Sequence, residues 1–127
     1  WRMHGGAITL AEQFIKYNKV YDLILCSDFL NLPVFKSLTS SYTKNTPFVM
    51  YYHENQVAYP WPIYDPDKKL ERDFHYYYIN QTSALASNWS LFNSYYNKKS
   101  FLDGLNEYLQ KMPDNQNMNT IKQIDNK

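Results

Sequence analysis

The chain has 127 residues, 44% of them hydrophobic, with 13 Lys+Arg against 12 Asp+Glu for a formal charge of +1. That length holds one domain with one core, and the balanced charge excludes a histone-like basic arm while leaving local contact with nucleic acid open. A single cysteine, Cys26, excludes an internal disulfide framework and fits a reducing, cytoplasmic setting; no apolar run reaches the roughly 18–20 residues that span a bilayer, so no membrane is expected as a partner.

Gly5-Gly6 precedes a stripe in which Ala7, Leu10, Ala11 and Phe14 recur at helical spacing, so a turn is expected at the glycines and a helix after them. Residues 21–26 are a short apolar run that reads as a buried strand, ended by Ser27 and Asp28. Leu32-Pro33 opens a short helix through Leu38, with Asn31 as its cap. Residues 48–52 form a second β-rich run that ends at His53-Glu54-Asn55-Gln56. A loop rich in proline and aromatic residues follows from 57 to about 69. Residues 70–87 place Phe74, Tyr78 and Leu85 on one helical face, and 90–92 form a third strand closed by Asn93-Ser94. The last helix carries Phe101, Leu105, Tyr108 and Met112 on one stripe. Residues 1–112 therefore read as one α/β domain, and 113–127, rich in Asn, Gln, Asp and Lys, as a polar linker or mobile loop.

Short apolar strands alternating with helices indicate a Rossmann-like parallel sheet with flanking helices. Ligands of such sheets sit beyond the carboxyl ends of the strands. That rule selects Ser27/Asp28, the 53–56 cluster and Asn93/Ser94 as three polar groups opening onto one edge. His53-Glu54-Asn55-Gln56 is the sharpest of them, four residues with acid, base, donor and acceptor capacity directly after a strand. The competing reading is architectural: Asn55 and Gln56 cap the next element and His53 satisfies a buried carbonyl. Neither Cys26 nor the histidines are spaced as a metal site, and no metal is expected.

The string His53-Glu54-Asn55-Gln56 followed by Tyr59-Pro60 resembles the tRNA-queuosine α-mannosyltransferase family. So do Glu71-Arg72-Asp73-Phe74, Asn80 with Thr82-Ser83-Ala84-Leu85-Ala86, and Phe92-Asn93-Ser94 leading to Ser100-Phe101-Leu102. The resemblance runs from about residue 1 to 105. Asn88 and Tyr77 depart from it, standing where an acidic and a smaller residue are usual. It implies the N-terminal, acceptor-side half of a two-domain GT-B glycosyltransferase, whose C-terminal Rossmann-like half is missing here, so that this piece alone is inactive. The implied activity is retaining transfer of mannose from the donor GDP-mannose to queuosine in the tRNA anticodon, with no cofactor beyond that donor. His53 and Glu54 are then the catalytic candidates; Asn55, Gln56, Asp73, Asn80, Asn93 and Ser94 are expected to bind substrate. Tyr59 and Tyr64, on the proline-stiffened loop, are expected to stack on an unstacked anticodon base. The alternatives are a glycosyltransferase acting on a small or lipid-linked acceptor, and a non-catalytic RNA-binding module.

Overall fold

The computed structural model describes residues 2–58, 64, 74–113 and 119–127. Among them the elements run α1 (Arg2–Tyr17), β1 (Ile24–Ser27), α2 (Leu32–Thr39), β2 (Phe48–Tyr52), α3 (Phe74–Ala86), β3 (Trp89–Phe92), α4 (Tyr95–Gln110) and α5 (Asn119–Asp125). The strands form one parallel sheet in the order β1-β2-β3, with Cys26 opposite Met50 and Met50 opposite Ser90. The expected α/β alternation is therefore present, built on a small sheet.

Side chains alternate across a strand, so Cys26, Phe48, Met50 and Tyr52 share one face. Onto that face pack Ala7 and Ala11 of α1, Leu32 and Phe35 of α2, Ala84 of α3, Phe101 and Leu105 of α4, and Ile124 of α5. Tyr52 anchors the centre. Its ring stacks on Phe92 at 4.8 Å between centroids and meets Phe101 at 5.0 Å. Its hydroxyl donates to the Asn80 carbonyl at 3.0 Å, so burying the phenol leaves no donor unpaired. On the opposite face Leu25, Tyr51, Trp89 and Leu91 remain exposed.

The structure departs from the sequence reading in three places. Gly5 and Gly6 form no turn before a helix; both lie inside α1. A Cβ at Gly6 would meet nothing within 4 Å, so packing does not demand glycine there. Burial of Met3, Ala7 and Ala11 offsets the cost of a helical glycine, about 1 kcal/mol. In α3 the stripe through Tyr78 is not the buried one: Tyr78 is 58% exposed, whereas Ile79, Asn80, Ser83 and Ala84 are buried. Ser83 Oγ donates to the Leu30 carbonyl at 3.0 Å and accepts from the Leu32 amide at 3.1 Å, so polar contacts to the loop before α2 outrank apolar spacing.

Third, within the stretch read as linker or mobile loop, residues 119–125 form α5 and bury Ile124 in the core. Beyond it Lys127 Nζ donates to the carbonyls of Ala84, Leu85 and Ser87 at 3.3, 2.5 and 2.6 Å. Lys36 Nζ donates to Ala86 at 2.8 Å, so two ammonium groups meet the negative end of α3. Burial, and then the nearby Lys36, lowers the pKa of Lys127.

Candidate active site

The three strand-end clusters meet. Ser27 lies opposite Tyr51 in the register, which brings Asp28, the next residue after β1, beside the residues that follow β2. The Asp28 side chain is fully buried, that of His53 is 48% exposed, and Nδ1 of His53 lies 2.6 Å from Oδ1 of Asp28. Neither Asp28 carboxylate oxygen has an aligned hydrogen-bond donor among the described residues, so the imidazole and the carboxylate meet in a close electrostatic contact. Burial pushes the Asp28 carboxyl up to about 6; the nearby His53 opposes the rise, and Glu54 adds to it. The ring of Phe29 packs 5.9 Å from that of His53 between centroids.

The facing wall is neutral and fully knitted. Ser94 is the N-cap of α4 and accepts from the Asn97 amide at 3.1 Å. One helical turn into α4, Asn97 Nδ2 donates to the Tyr52 carbonyl at 2.8 Å and to Asn93 Oδ1 at 2.9 Å. Asn97 Oδ1 accepts from Asn55 Nδ2 at 2.5 Å, and Asn55 Oδ1 accepts from the Ala58 amide at 2.7 Å. Asn93 Nδ2 donates to the His53 carbonyl at 2.5 Å. Behind the loop, Asn80 Oδ1 accepts from the Gln56 amide at 3.1 Å while its Nδ2 donates to the Asp28 carbonyl at 2.9 Å. Asn80 thus ties the ends of β1 and β2 together.

Between these walls lies a cavity of about 220 Å³, bounded by His53 and Glu54 on one side and by Asn93, Ser94, Tyr96 and Ser100 on the other. No Lys or Arg is among the described residues that line it.

The whole chain, residues 1–127, matches the family described as tRNA-queuosine alpha-mannosyltransferase N-terminal. The chain belongs to that family. It is also 31% identical, over all 127 residues, to the tRNA-queuosine alpha-mannosyltransferase of Drosophila melanogaster, and covers 32% of that relative. It therefore spans about a third of the length of the curated relative it matches. No solved structure matches the chain.

Within this tRNA-queuosine alpha-mannosyltransferase N-terminal domain, the residues singled out from the sequence separate into groups. His53, Glu54, Asn93 and Ser94 are brought together at the cavity. Asn55, 5% exposed, also borders it, but its amide is committed to the knitted wall. Gln56 is buried, and Asn80, fully buried, sits behind the loop, so both stand away from the opening as supports. Tyr64 is 93% exposed and is not among the cavity's walls. Tyr59 and Asp73 lie outside the described residues.

Asp28, selected from the sequence only as a strand-end residue without a role, belongs to the site, and so do Tyr96, Asn97 and Ser100, which were not singled out. For the last group a signal existed: polar residues at 93, 94, 97 and 100 recur at helical spacing ahead of the apolar stripe. Asp28, His53 and Glu54 also present ligand atoms within 4.8 Å of one another, a group invisible when only Cys26 and the histidines are weighed as metal ligands. Among the described residues no helix is long and apolar enough to cross a membrane.

Proposed function

We propose that this chain is the acceptor-side part of a retaining GT-B mannosyltransferase that, at full length, moves mannose from GDP-mannose to queuosine in tRNA. Family membership and the activity named for the Drosophila relative support this reading. The observation that carries it is the cavity beyond the carboxyl ends of three parallel strands, where His53 is held by a buried carboxylate. Sites that enclose a whole small molecule run to about 300–1,000 Å³. At about 220 Å³ this one is sized for a single ring, a sugar or the ring that accepts it. No Lys or Arg is among the described residues of its walls, so the donor's diphosphate is assigned to other residues of the full-length protein.

Glycosyl transfer requires an aligned acceptor hydroxyl and stabilisation of the charge that develops on the leaving group. With Nδ1 turned to Asp28, the nitrogen that His53 offers to a sugar hydroxyl is Nε2. Glu54, half-buried beside it, supplies a hydrogen-bond acceptor for a second hydroxyl. The His53 carbonyl already accepts from Asn93, so the imidazole is the better placed of the two groups to meet substrate. Asn55, Gln56, Asn80, Asn93 and Ser94 hold this loop in register. Tyr64 presents an exposed ring to an unstacked base, with Tyr59 and Asp73 from the same stretch of chain as further acceptor contacts. No step in this scheme is routed through a metal.

The test is an assay of the full-length protein against several nucleotide-sugars, using tRNA with and without queuosine. The expected result is a mass gain of one hexose that requires both GDP-mannose and queuosine. Equal transfer to tRNA lacking queuosine, or preference for a lipid-linked or small acceptor, would overturn the reading.

A further inference from the structure

Beside the strand-end cavity three ligand atoms crowd together: one oxygen each from Asp28 and Glu54 and a ring nitrogen of His53, all within 4.8 Å of one another. The scaffold forces the cluster. The β1–β2 register brings residue 28 beside residue 53, and Glu54 follows in a loop whose Gln56 amide and His53 carbonyl are fixed by Asn80 and Asn93. Asp28 is fully buried, and neither of its carboxylate oxygens has an aligned donor among the described residues. Among those residues no lysine or arginine pairs with Asp28 or Glu54 either. A buried carboxylate is normally matched by hydrogen-bond donors, a cation or a metal. Here one half-exposed imidazole faces two carboxylates.

We propose that Asp28, His53 and Glu54 form a site for a divalent cation of the Zn2+ class, and that filling it switches off the imidazole that meets the acceptor. One imidazole nitrogen and two carboxylate oxygens are a ligand set that Zn2+ accepts, with a position left open for water. The charge of the ion offsets both carboxylates, which a single proton does not. Ligand atoms on a tetrahedral Zn2+ stand about 3.3 Å apart. Nδ1 of His53 and Oδ1 of Asp28 are 2.6 Å apart, so the half-exposed ring has only to swing outward by under about 1 Å. His53 and Glu54 also border the cavity, which gives an ion from solvent its way in. A metal at Nδ1 takes the place of the proton held there, and the neutral ring then keeps its one proton on Nε2. In that form Nε2 donates and no longer accepts. The switch, unlike the site, rests on the function proposed above, in which Nε2 serves a sugar hydroxyl.

Equilibrium dialysis of metal-stripped full-length protein against Zn2+ alone tests the site, with metal content read by mass spectrometry. The expected result is one more bound Zn2+ in wild type than in either Asp28→Asn or Glu54→Gln. Asp103→Asn, which alters an exposed ion pair on α4, should match wild type. Glu54→Gln changes a half-buried side chain and keeps the test decisive should Asp28→Asn fold poorly. Equal Zn2+ in all four proteins would overturn the proposal. So would displacement of the extra ion by Mg2+ at the same free concentration, because Mg2+ prefers oxygen ligands and keeps its waters. In the transfer assay, filling the site should lower the rate several-fold, EDTA should restore it, and Glu54→Gln should need several-fold more Zn2+ for the same inhibition. Transfer that continues unchanged with the site filled would overturn the switch. An extra Zn2+ in a protein that transfers no sugar under any condition would uphold the site and overturn the function proposed above instead.

Discussion

The two walls of the strand-end cavity are built on opposite plans. On the β3–α4 side, Asn93, Ser94, Asn97 and Ser100 are neutral, and their polar atoms are matched to one another, to Asn55 or to backbone. On the β1–β2 side, a buried carboxylate with few partners faces a half-exposed imidazole, with a second carboxylate next to it. A saturated amide network rigidifies and specifies. An under-satisfied carboxylate costs stability, and such a cost is commonly found where chemistry is done. Under the proposed function the difference divides the work: one wall would position and the other would react.

The largest effect should come from removing the reacting group. In full-length protein His53→Ala is expected to lower mannose transfer by about 100-fold or more, typical for losing one positioned acid–base or hydrogen-bonding group. The melting temperature should fall less than for the knitted wall, since the side chain is 48% exposed and its loss is felt chiefly by the Asp28 carboxyl. Asn97→Ala should do the reverse in kind. It strips donors from the Tyr52 carbonyl and Asn93 and an acceptor from Asn55, and should cost about 2–3 kcal/mol in denaturant unfolding. If Asn97→Ala abolished transfer while leaving stability untouched, the division between walls would be wrong.

Gly104→Ala sharpens the comparison from behind. A Cβ at that α4 position would run into Cγ1 of Val57, just past the His53 loop. The expected cost is about 1–2 kcal/mol, with a several-fold loss of transfer as the loop shifts. Full activity and stability in that variant would mean that α4 does not set the loop's position.

A further effect is a pH slope. The folded pKa of Asp28, about 6, lies above the ordinary value of 3.8, so the folded state keeps this proton to higher pH than the unfolded chain. The contribution of Asp28 to stability is therefore fully present below the ordinary value and is lost as pH rises through about 6. Asp28→Asn removes that dependence, so the stability gap between variant and wild type should grow in the variant's favour between these limits. Parallel pH profiles would show that the buried carboxyl is not perturbed.

The contrast between the walls also marks what could be read from the sequence. The strands were legible because each is a short apolar run stopped by polar residues, and the rule of carboxyl-end sites then selected the edge at which the cavity lies. The pairing of Asp28 with His53 was not, because 25 positions separate them and only the β1–β2 register brings them together. Asn55, Gln56 and Asn80 look like ligand-binding residues because sequence does not reveal burial; an amide that ties two strand ends has the same side chain as one that binds a sugar. The helix at 119–125 was not legible because a segment this polar is held by one buried side chain, Ile124, and by polar contacts distant in sequence, from Gln81 to Thr120, from Lys98 to Asp125 and from Lys127 to the end of α3. The misplaced stripe on α3 has the same origin, since Asn80 and Ser83 are buried by hydrogen bonding and not by hydrophobicity.

The reacting wall is claimed to act as one unit, with Asp28 working through His53. A double-mutant cycle on mannose transfer by the full-length protein tests this directly. Asp28→Asn in the otherwise intact protein should lower transfer roughly 10-fold, but should cause no further loss once His53 is already Ala. Losses that multiply in the double variant would show that the two residues act independently, and would contradict the account.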